Sequence, residues 1–468
     1  MIVQTRYGKV AGRLEAGVAV FKGIPYAAPP FGELRFQAPA PPAPWEGVRE
    51  AYVFGAAAPQ VPAGYQLAGE LVPGEDCLNL NVWAPSTEGP HPVLVWVHGG
   101  GLRNGSSSFS VYDGSAFARD GVVLVSVNYR VSVDGFALFP DAPANRGLLD
   151  LVAALRWVRD NIAEFGGDPG RVTIAGQSAG SFLCAALAAS PVAEGLFQRA
   201  ILQSGPPGVA HAGDGSSTTG LIAAELGVAA TAGAFARVPT DQLLAAEEKV
   251  FSRFGMPSND TGYHLTPDGE VLPAPLTEAL AGRAVDLLLG ATAEELRGFL
   301  IEGGVYDRPA VLVWAIMRYA LHRAGVKGAV IRQYRRARPG ISRRDTMIAV
   351  ANDLAFRGPY TRLATGAGGR VWMYEFAWRS PKRDYGAAHG MELPFVFDTA
   401  GKPELLDFIG ADPPSRLADV THAAWVAFAR DGDPGWPAWH PGRRPVMVFD
   451  TEPALAWDPR PEELRHWL

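Results

Sequence analysis

The sequence predicts an α/β fold: a mostly parallel central sheet flanked by helices, with helical additions over one end. Three observations predict it. Six short apolar runs bounded by turn residues stand at 93–98 (VLVWVH), 122–129 (VVLVSVNY), 172–175 (VTIA), 200–203 (AILQ), 285–290 (VDLLLG) and 371–376 (VWMYEF). Continuous β-rich runs of this length suit strands buried on both faces. Between the second and third lies a helical stretch, 147–165, in which Leu148, Leu151, Leu155, Val158 and Ile162 recur on one face. Another, 179–189, follows the third, and strand–helix–strand–helix order is the pattern of a parallel sheet. Finally, apolar residues make up 48% of the 468 residues and charged residues 19%, enough for a substantial core.

The elements divide the chain simply. Residues 1–74 read as an irregular N-terminal wrap, since Pro and Gly are densest in 23–74 (GIPYAAPP, APPAPWEG, VPAGYQLAGELVPG). The Ala/Leu/Arg-rich stretches 218–256 and 308–337 look helical, and place helical additions at about 210–284 and 300–368. The whole of 1–468 reads as one domain, with no repeat at solenoid periods.

Composition excludes several functions. With 42 Lys and Arg against 48 Asp and Glu, the net charge is −6, which lacks the basic footprint of a nucleic-acid partner. Only six of the basic residues are Lys, a mark of genome composition. Two cysteines, Cys77 and Cys184, cannot make a disulfide framework or an all-Cys metal site. They are expected as free thiols. The opening MIVQTRYGKV has no apolar signal core, and no uninterrupted apolar run reaches membrane-spanning length. The expectation is a cytoplasmic protein without a membrane anchor, a monomer or small homo-oligomer.

The segment that carries chemistry is RVTIAGQSAGS at 171–181. Within it, Gly176-Gln177-Ser178-Ala179-Gly180 is a G-x-S-x-G pentapeptide between a predicted strand and a predicted helix. That is the setting of a nucleophile elbow: small flanking residues let the chain turn sharply and present the Ser hydroxyl at the strand's C-terminal end. A serine hydroxyl needs a base to become nucleophilic, and donors for the oxyanion that its attack creates. His98-Gly99-Gly100-Gly101 follows the run VLVWVH, and its glycines let backbone N–H groups approach a substrate oxygen.

Nine histidines compete for the base. His91, His211, His440 and His466 lie in Pro/Gly-rich or terminal segments and read as surface. His322 and His422 sit in helical patterns, with a solvated or core-edge role. His98 shapes the glycine turn, and His264 precedes a TPDG turn. His389 stands in a Gly-bracketed loop, GAAHGMELPFVF. The usual chain order of nucleophile, acid, histidine calls for a late base, which leaves His389, His422, His440 and His466. Carboxylates between are too numerous to choose among by spacing.

These segments resemble the type-B carboxylesterase and cholinesterase family of α/β-hydrolases over nearly the whole chain. FKGIPYAAPPFGELRFQAP is similar to the family's F-x-GIPYA-x-PP-x-G-x-x-RF, and Glu75-Asp76-Cys77-Leu78-Asn79-Leu80-Asn81 to its EDCL-x-LN. NRGLLDLVAALRWVRDNIAEFGGDPGRVTIAGQSAG, FQRAILQSG, the PDG turn at 267–269, GAAHGMELPFVF and FARDGDPGWPAW also fit. The resemblance implies Ser178 as nucleophile and His389 as base. It implies Glu295 as acid, in GATAEEL where the family has G-x-x-x-D-E-G. It implies Gly100, Gly101 and Ala179 as oxyanion donors, Ser204 as a serine supporting the triad, and ion pairs Arg35–Glu75 and Arg130–Asp150.

Four departures bear on the site. Gln177 stands where the family usually has Glu, which lessens attraction for cationic substrates. Leu102 stands where an aromatic is common, and Ser181 and Leu296 replace glycines. The resemblance implies a serine carboxylesterase acting on a small-molecule ester through an acyl-enzyme, with neither metal nor organic cofactor. Its alternatives are a lipase or amidase with the same triad, or a non-catalytic cholinesterase-like binding protein.

Overall fold

The computed structural model describes residues 1–62, 69, 71–206, 216–253 and 262–468. His211 and parts of the expected wrap and of the 210–284 addition lie outside the described residues.

Among the described residues an 11-stranded sheet runs in the order Ala454–Trp457, Pro445–Phe449, Val371–Phe376, Asp286–Thr292, Arg199–Gln203, Gly167–Gln177, His91–Val97, Val123–Val127, Asn79–Ala84, Val18–Pro25, Arg13–Glu15. From Pro445–Phe449 to Val123–Val127 every neighbour is parallel, and the flanking strands are antiparallel. All six apolar runs are strands of the parallel part. Alternation along them sorts side chains to two layers: Val93, Val95 and Val97 enter the core on one face, and Leu94 and Trp96 that on the other. The Trp96 indole meets Phe397 edge-on at 4.8 Å.

Helix Arg146–Asn161 buries Leu148, Leu151, Leu155 and Val158, the predicted stripe, and continues as a 3-10 turn through Phe165. Helix Ala179–Ala189 has the predicted bounds and is buried along almost its whole length. The stretch at 218–256 is not one helix. It divides into Ser216–Leu226, Ala232–Phe235 and Thr240–Arg253, with Gly227 at φ 67° in the first break. The stretch at 308–337 is Ala310–Arg323 and Gly328–Ala337, broken at Gly325 (φ 80°). Both of these helices pack on a third, Arg343–Asn352, which in turn packs on Glu295–Glu302.

Two ion pairs fix the loops beneath the strand ends. Arg130 grips Asp150 with Nη2 at 2.7 Å and Nε at 2.8 Å, and both side chains are buried. The expected Arg35–Glu75 pair does not form. Arg35 is buried and meets Asp134 at 3.2 Å and the Val238 carbonyl at 2.8 Å, whereas Glu75 faces solvent, out of reach of a buried guanidinium. His422, expected at a solvated or core-edge position, is buried, with Nδ1 2.7 Å from the Val396 carbonyl and Nε2 3.2 Å from Asp120. Cys77 and Cys184 are buried free thiols, and burial pushes both pKa values up.

Candidate active site

Strand register brings the candidate residues to one edge. Gln203 pairs with both Gln177 and Gly290, and Val97 pairs with Gly176. The segments that leave the strands there carry the glycine turn, Ser178, Ser204 and Glu295. Strand His91–Val97 has Val123–Val127 on one side and Gly167–Gln177 on the other, so the crossovers diverge around it. Such a switch point opens a crevice at the carboxyl ends of parallel strands.

Ser178 sits at the end of Gly167–Gln177 with φ 58° and ψ −123°, a strained conformation for a residue bearing a Cβ. Its N–H donates to the Gln203 carbonyl at 2.9 Å, and its own carbonyl accepts from Ser181 and Phe182 in the first turn of the helix. The turn is tight enough to demand glycine on both sides. A Cβ on Gly176 would lie 2.4 Å from the Gly180 carbonyl carbon, and one on Gly180 would lie 2.0 Å from the Val97 oxygen.

The glycine turn abuts this elbow. A Cβ on Gly99 would come within 2.8 Å of the Gln177 carbonyl oxygen and 3.2 Å of Ser178 Cβ. Gly100 (φ 121°) and Gly101 (φ 63°) adopt conformations suited to glycine, and the Gly100 carbonyl accepts from Arg103 and Asn104. The N–H groups of Gly100, Gly101 and Ala179 have no acceptor among the described residues. The turn is braced from below: the His98 ring stacks on Tyr129 at 4.3 Å, the Tyr129 hydroxyl donates to the His98 carbonyl at 2.8 Å, and the Leu102 carbonyl accepts from Ser132 N–H at 2.7 Å. Burial lowers the His98 pKa to about 4, so this imidazole is neutral near pH 7.

His389 approaches from its loop with both ring nitrogens engaged. Nδ1 lies 2.5 Å from Glu295 Oε2, and Nε2 lies 3.1 Å from the side-chain nitrogen of Gln177. Phe299 packs against the ring at 4.9 Å. The other Glu295 oxygen accepts the Thr292 N–H at 2.7 Å, and the Glu295 N–H donates to the Asn352 side chain at 2.8 Å. Glu295 is thus fully buried and held at three points. Glu294 points elsewhere, to Arg297 and Arg379, and accepts the Ala387 N–H.

Ser204 is buried at φ 50°, its N–H on the Gly290 carbonyl at 2.8 Å, but its hydroxyl has no partner among the described residues. Three further residues, not singled out in the sequence, crowd the site, though Gln203 and Glu392 lie in FQRAILQSG and GAAHGMELPFVF. The Tyr360 hydroxyl accepts from Gly205 N–H at 2.8 Å and donates to the Leu202 carbonyl at 3.0 Å. Gln203 accepts from the Trp425 indole at 2.9 Å and donates to Glu392 at 3.2 Å. Burial, with the neighbouring Glu295 charge, raises the Glu392 pKa to about 7. Among the described residues no group of three or more His, Cys, Asp or Glu could hold a metal ion.

A parallel sheet with a serine elbow after one strand and an acid–histidine pair after two others defines an α/β-hydrolase. Comparisons with known proteins narrow the class. The family model for the carboxylesterase family matches residues 1–467. Para-nitrobenzyl esterase of Bacillus subtilis is 36% identical over 501 residues, covering 99% of this chain and 97% of its own. Phenmedipham hydrolase of Pseudarthrobacter oxydans is 37% identical over 482 residues, covering 97% and 96%. A solved carboxylesterase of Geobacillus stearothermophilus superposes with a TM-score of 0.84 at 35% identity, covering 100% of both chains. The chain belongs to the carboxylesterase family and is a hydrolase of carboxylic esters.

Proposed function

We propose that Ser178, His389 and Glu295 form the catalytic triad of this esterase, and that the N–H groups of Gly100, Gly101 and Ala179 form its oxyanion hole. The observation that carries the reading is the 2.5 Å contact between His389 Nδ1 and Glu295, beside a serine held at φ 58° in an elbow closed by Gly176 and Gly180. A carboxylate on Nδ1 fixes the proton there and leaves the Nε2 lone pair to act as base. Ser178 Oγ attacks the ester carbonyl while Nε2 takes its proton. The resulting imidazolium is stabilised by Glu295 and returns the proton to the departing alcohol. Water then attacks the acyl-serine by the same path, and the acid leaves. Free N–H donors beside Ser178 support the oxyanion role, where each such donor contributes on the order of 10²-fold or more to turnover.

The substrate is a small-molecule carboxylic ester. The whole chain works as one catalytic unit, with the helices of 216–253 and 310–366 as additions flanking the crevice. Ser204 supports the triad from the strand ends beside Gly290, its hydroxyl making no hydrogen bond among the described residues. Treatment with a fluorophosphonate probe followed by peptide mapping tests the reading: the label is expected on Ser178 alone. Ser178→Ala should lose about 10⁶-fold in aryl-ester turnover while keeping the native unfolding transition. Label on another serine, or turnover near that of the unmodified enzyme, would overturn the assignment.

A further inference from the structure

From residue 308 to residue 344 the chain carries nine Arg and one Lys and not a single Asp or Glu, in a protein whose net charge is −6. The segment folds into helices Ala310–Arg323 and Gly328–Ala337 and the start of Arg343–Asn352. Their inner faces are accounted for by Val313, Met317 and Leu321 on one helix and Ile331 and Tyr334 on the next. Their outer faces are not. Of the ten cations only Arg338, on Glu463 at 2.6 Å, and Arg344, on Asp384 at 3.8 Å, have a carboxylate within ion-pairing distance among the described residues.

Two of the others converge. Arg318 Nη2 and Arg332 Nη1 each lie 3.6 Å from the point a Cβ on Gly328 would occupy. These two nitrogens, from different helices, are therefore no more than twice that distance apart, and neither guanidinium has a carboxylate within ion-pairing distance among the described residues. Exposed Arg335 and Arg336 follow on the second helix. Beside this charge the first helix exposes Val311 (71%), Leu312 (42%) and Tyr319 (64%).

We propose that this face docks on an anionic phospholipid surface. Unpaired guanidinium groups match phosphate, which they can grip with paired N–H donors. A nucleic acid would satisfy the cations but would leave Val311 and Leu312 in water, and an acidic protein would need an apolar patch beside its carboxylates to cover them. A bilayer surface offers both a plane of phosphates and, just beneath, an acyl boundary for aliphatic side chains, with the headgroup level suited to a tyrosine. The attachment is peripheral: among the described residues no helix is long and apolar enough to cross a membrane. Docking there would bring the enzyme to the phase into which apolar esters partition, but it stands independently of the triad assignment.

Co-sedimentation of the full chain with vesicles tests the proposal. Binding is expected to phosphatidylserine-containing vesicles at low salt, not to pure phosphatidylcholine, and is expected to fall steeply by about 0.15 M salt. Arg318→Gln/Arg332→Gln/Arg336→Gln should weaken binding at least roughly tenfold. Leu312→Ser/Tyr319→Ser should weaken it with the charge unchanged. Both variants should keep the parent's thermal unfolding and its turnover of a soluble aryl ester. A control triple, Arg49→Gln/Arg159→Gln/Arg430→Gln, takes exposed cations that are already ion-paired and should bind as the parent does. No binding at low salt, or equal loss in the control, would overturn the proposal. So would full binding by the Leu312/Tyr319 variant with displacement by duplex DNA, which would make the face a general polyanion site.

Discussion

The side-chain amide of Gln177 meets Nε2 of His389 at 3.1 Å, on the opposite side of the ring from Glu295. The Glu295 contact puts the ring proton on Nδ1, so Nε2 presents a lone pair and the amide must turn its NH₂ toward it. The nitrogen proposed to take the Ser178 proton is therefore occupied in the resting enzyme. An amide is a yielding partner: after proton transfer it can rotate and offer its oxygen to the new N–H. A glutamate at this position would favour the protonated ring throughout.

Gln177→Glu should therefore move the acid limb of the kcat/KM profile to higher pH, on the order of one unit, because a carboxylate in contact with an imidazole stabilises its charged form. Activity on the alkaline plateau should change less than activity near pH 6. The profile is measured with a neutral aryl ester, after subtraction of spontaneous hydrolysis. An acid limb that stays in place would show that this contact does not govern the base.

Glu295→Gln and Glu294→Gln separate two adjacent carboxylates. The first keeps the shape of a side chain that holds Nδ1 but removes the charge opposite the imidazolium, and turnover should fall on the order of 10⁴-fold. The second leaves Nδ1 untouched and weakens the Arg297 and Arg379 contacts and the Ala387 N–H bond. Its turnover should fall by about tenfold or less, with a larger effect on melting temperature than on rate. The reverse order would transfer the acid to Glu294.

Much of this arrangement is legible in the sequence, and the failures have physical reasons. Six of the seven parallel strands stand out because burial on both faces writes an unbroken apolar run; the seventh, Pro445–Phe449, lies outside the six predicted runs. Asn79–Ala84 (NLNVWA) hides its strand behind two buried asparagines. Asn79 donates to the Ala56 carbonyl at 2.8 Å and Asn81 to the Ser126 hydroxyl at 3.0 Å, so their polarity is satisfied by tertiary contacts no local pattern shows. Residues alone left four late histidines and many acids. Family resemblance narrowed these to His389 and Glu295, which the fold brings together across 94 positions. The same resemblance misassigned Arg35, because which carboxylate a guanidinium meets depends on which loop is buried beside it. The Gln177–His389 contact spans 212 positions and has no signature.

Asp150→Asn tests the buried pair with Arg130. The aspartate accepts two guanidinium bonds and the Arg130 N–H at 3.0 Å, in a place from which water is excluded. Removing its charge leaves Arg130 uncompensated, which typically costs about 3–5 kcal/mol. Urea denaturation should show that loss as a lower midpoint with an unchanged slope. A loss below about 1 kcal/mol, the scale of an exposed pair, would mean that the guanidinium finds other partners.

Glu247 links the helix Thr240–Arg253 to the glycine turn. Its carboxylate accepts a short hydrogen bond from the Ser132 hydroxyl, and the Ser132 N–H caps the Leu102 carbonyl. Tyr263, Arg103 and Asp134 also face it. Burial raises its pKa from 4.5 to about 6, and the hydrogen bonds and Arg103 only partly offset this. A carboxyl whose folded pKa is raised binds its proton more tightly in the native state. Its stabilising contribution is fully present below pH 4.5 and is lost as pH rises through about 6. Deprotonation should thus cost about 2 kcal/mol at neutral pH. Glu247→Gln mimics the protonated form, so the variant should match the parent near pH 4.5 and gain on it as pH rises to 7. Urea midpoints across that range would show the two curves diverging upward. Parallel curves would mean that Glu247 titrates as an ordinary carboxylate, and divergence in the other direction would mean that Ser132 and Arg103 hold it charged.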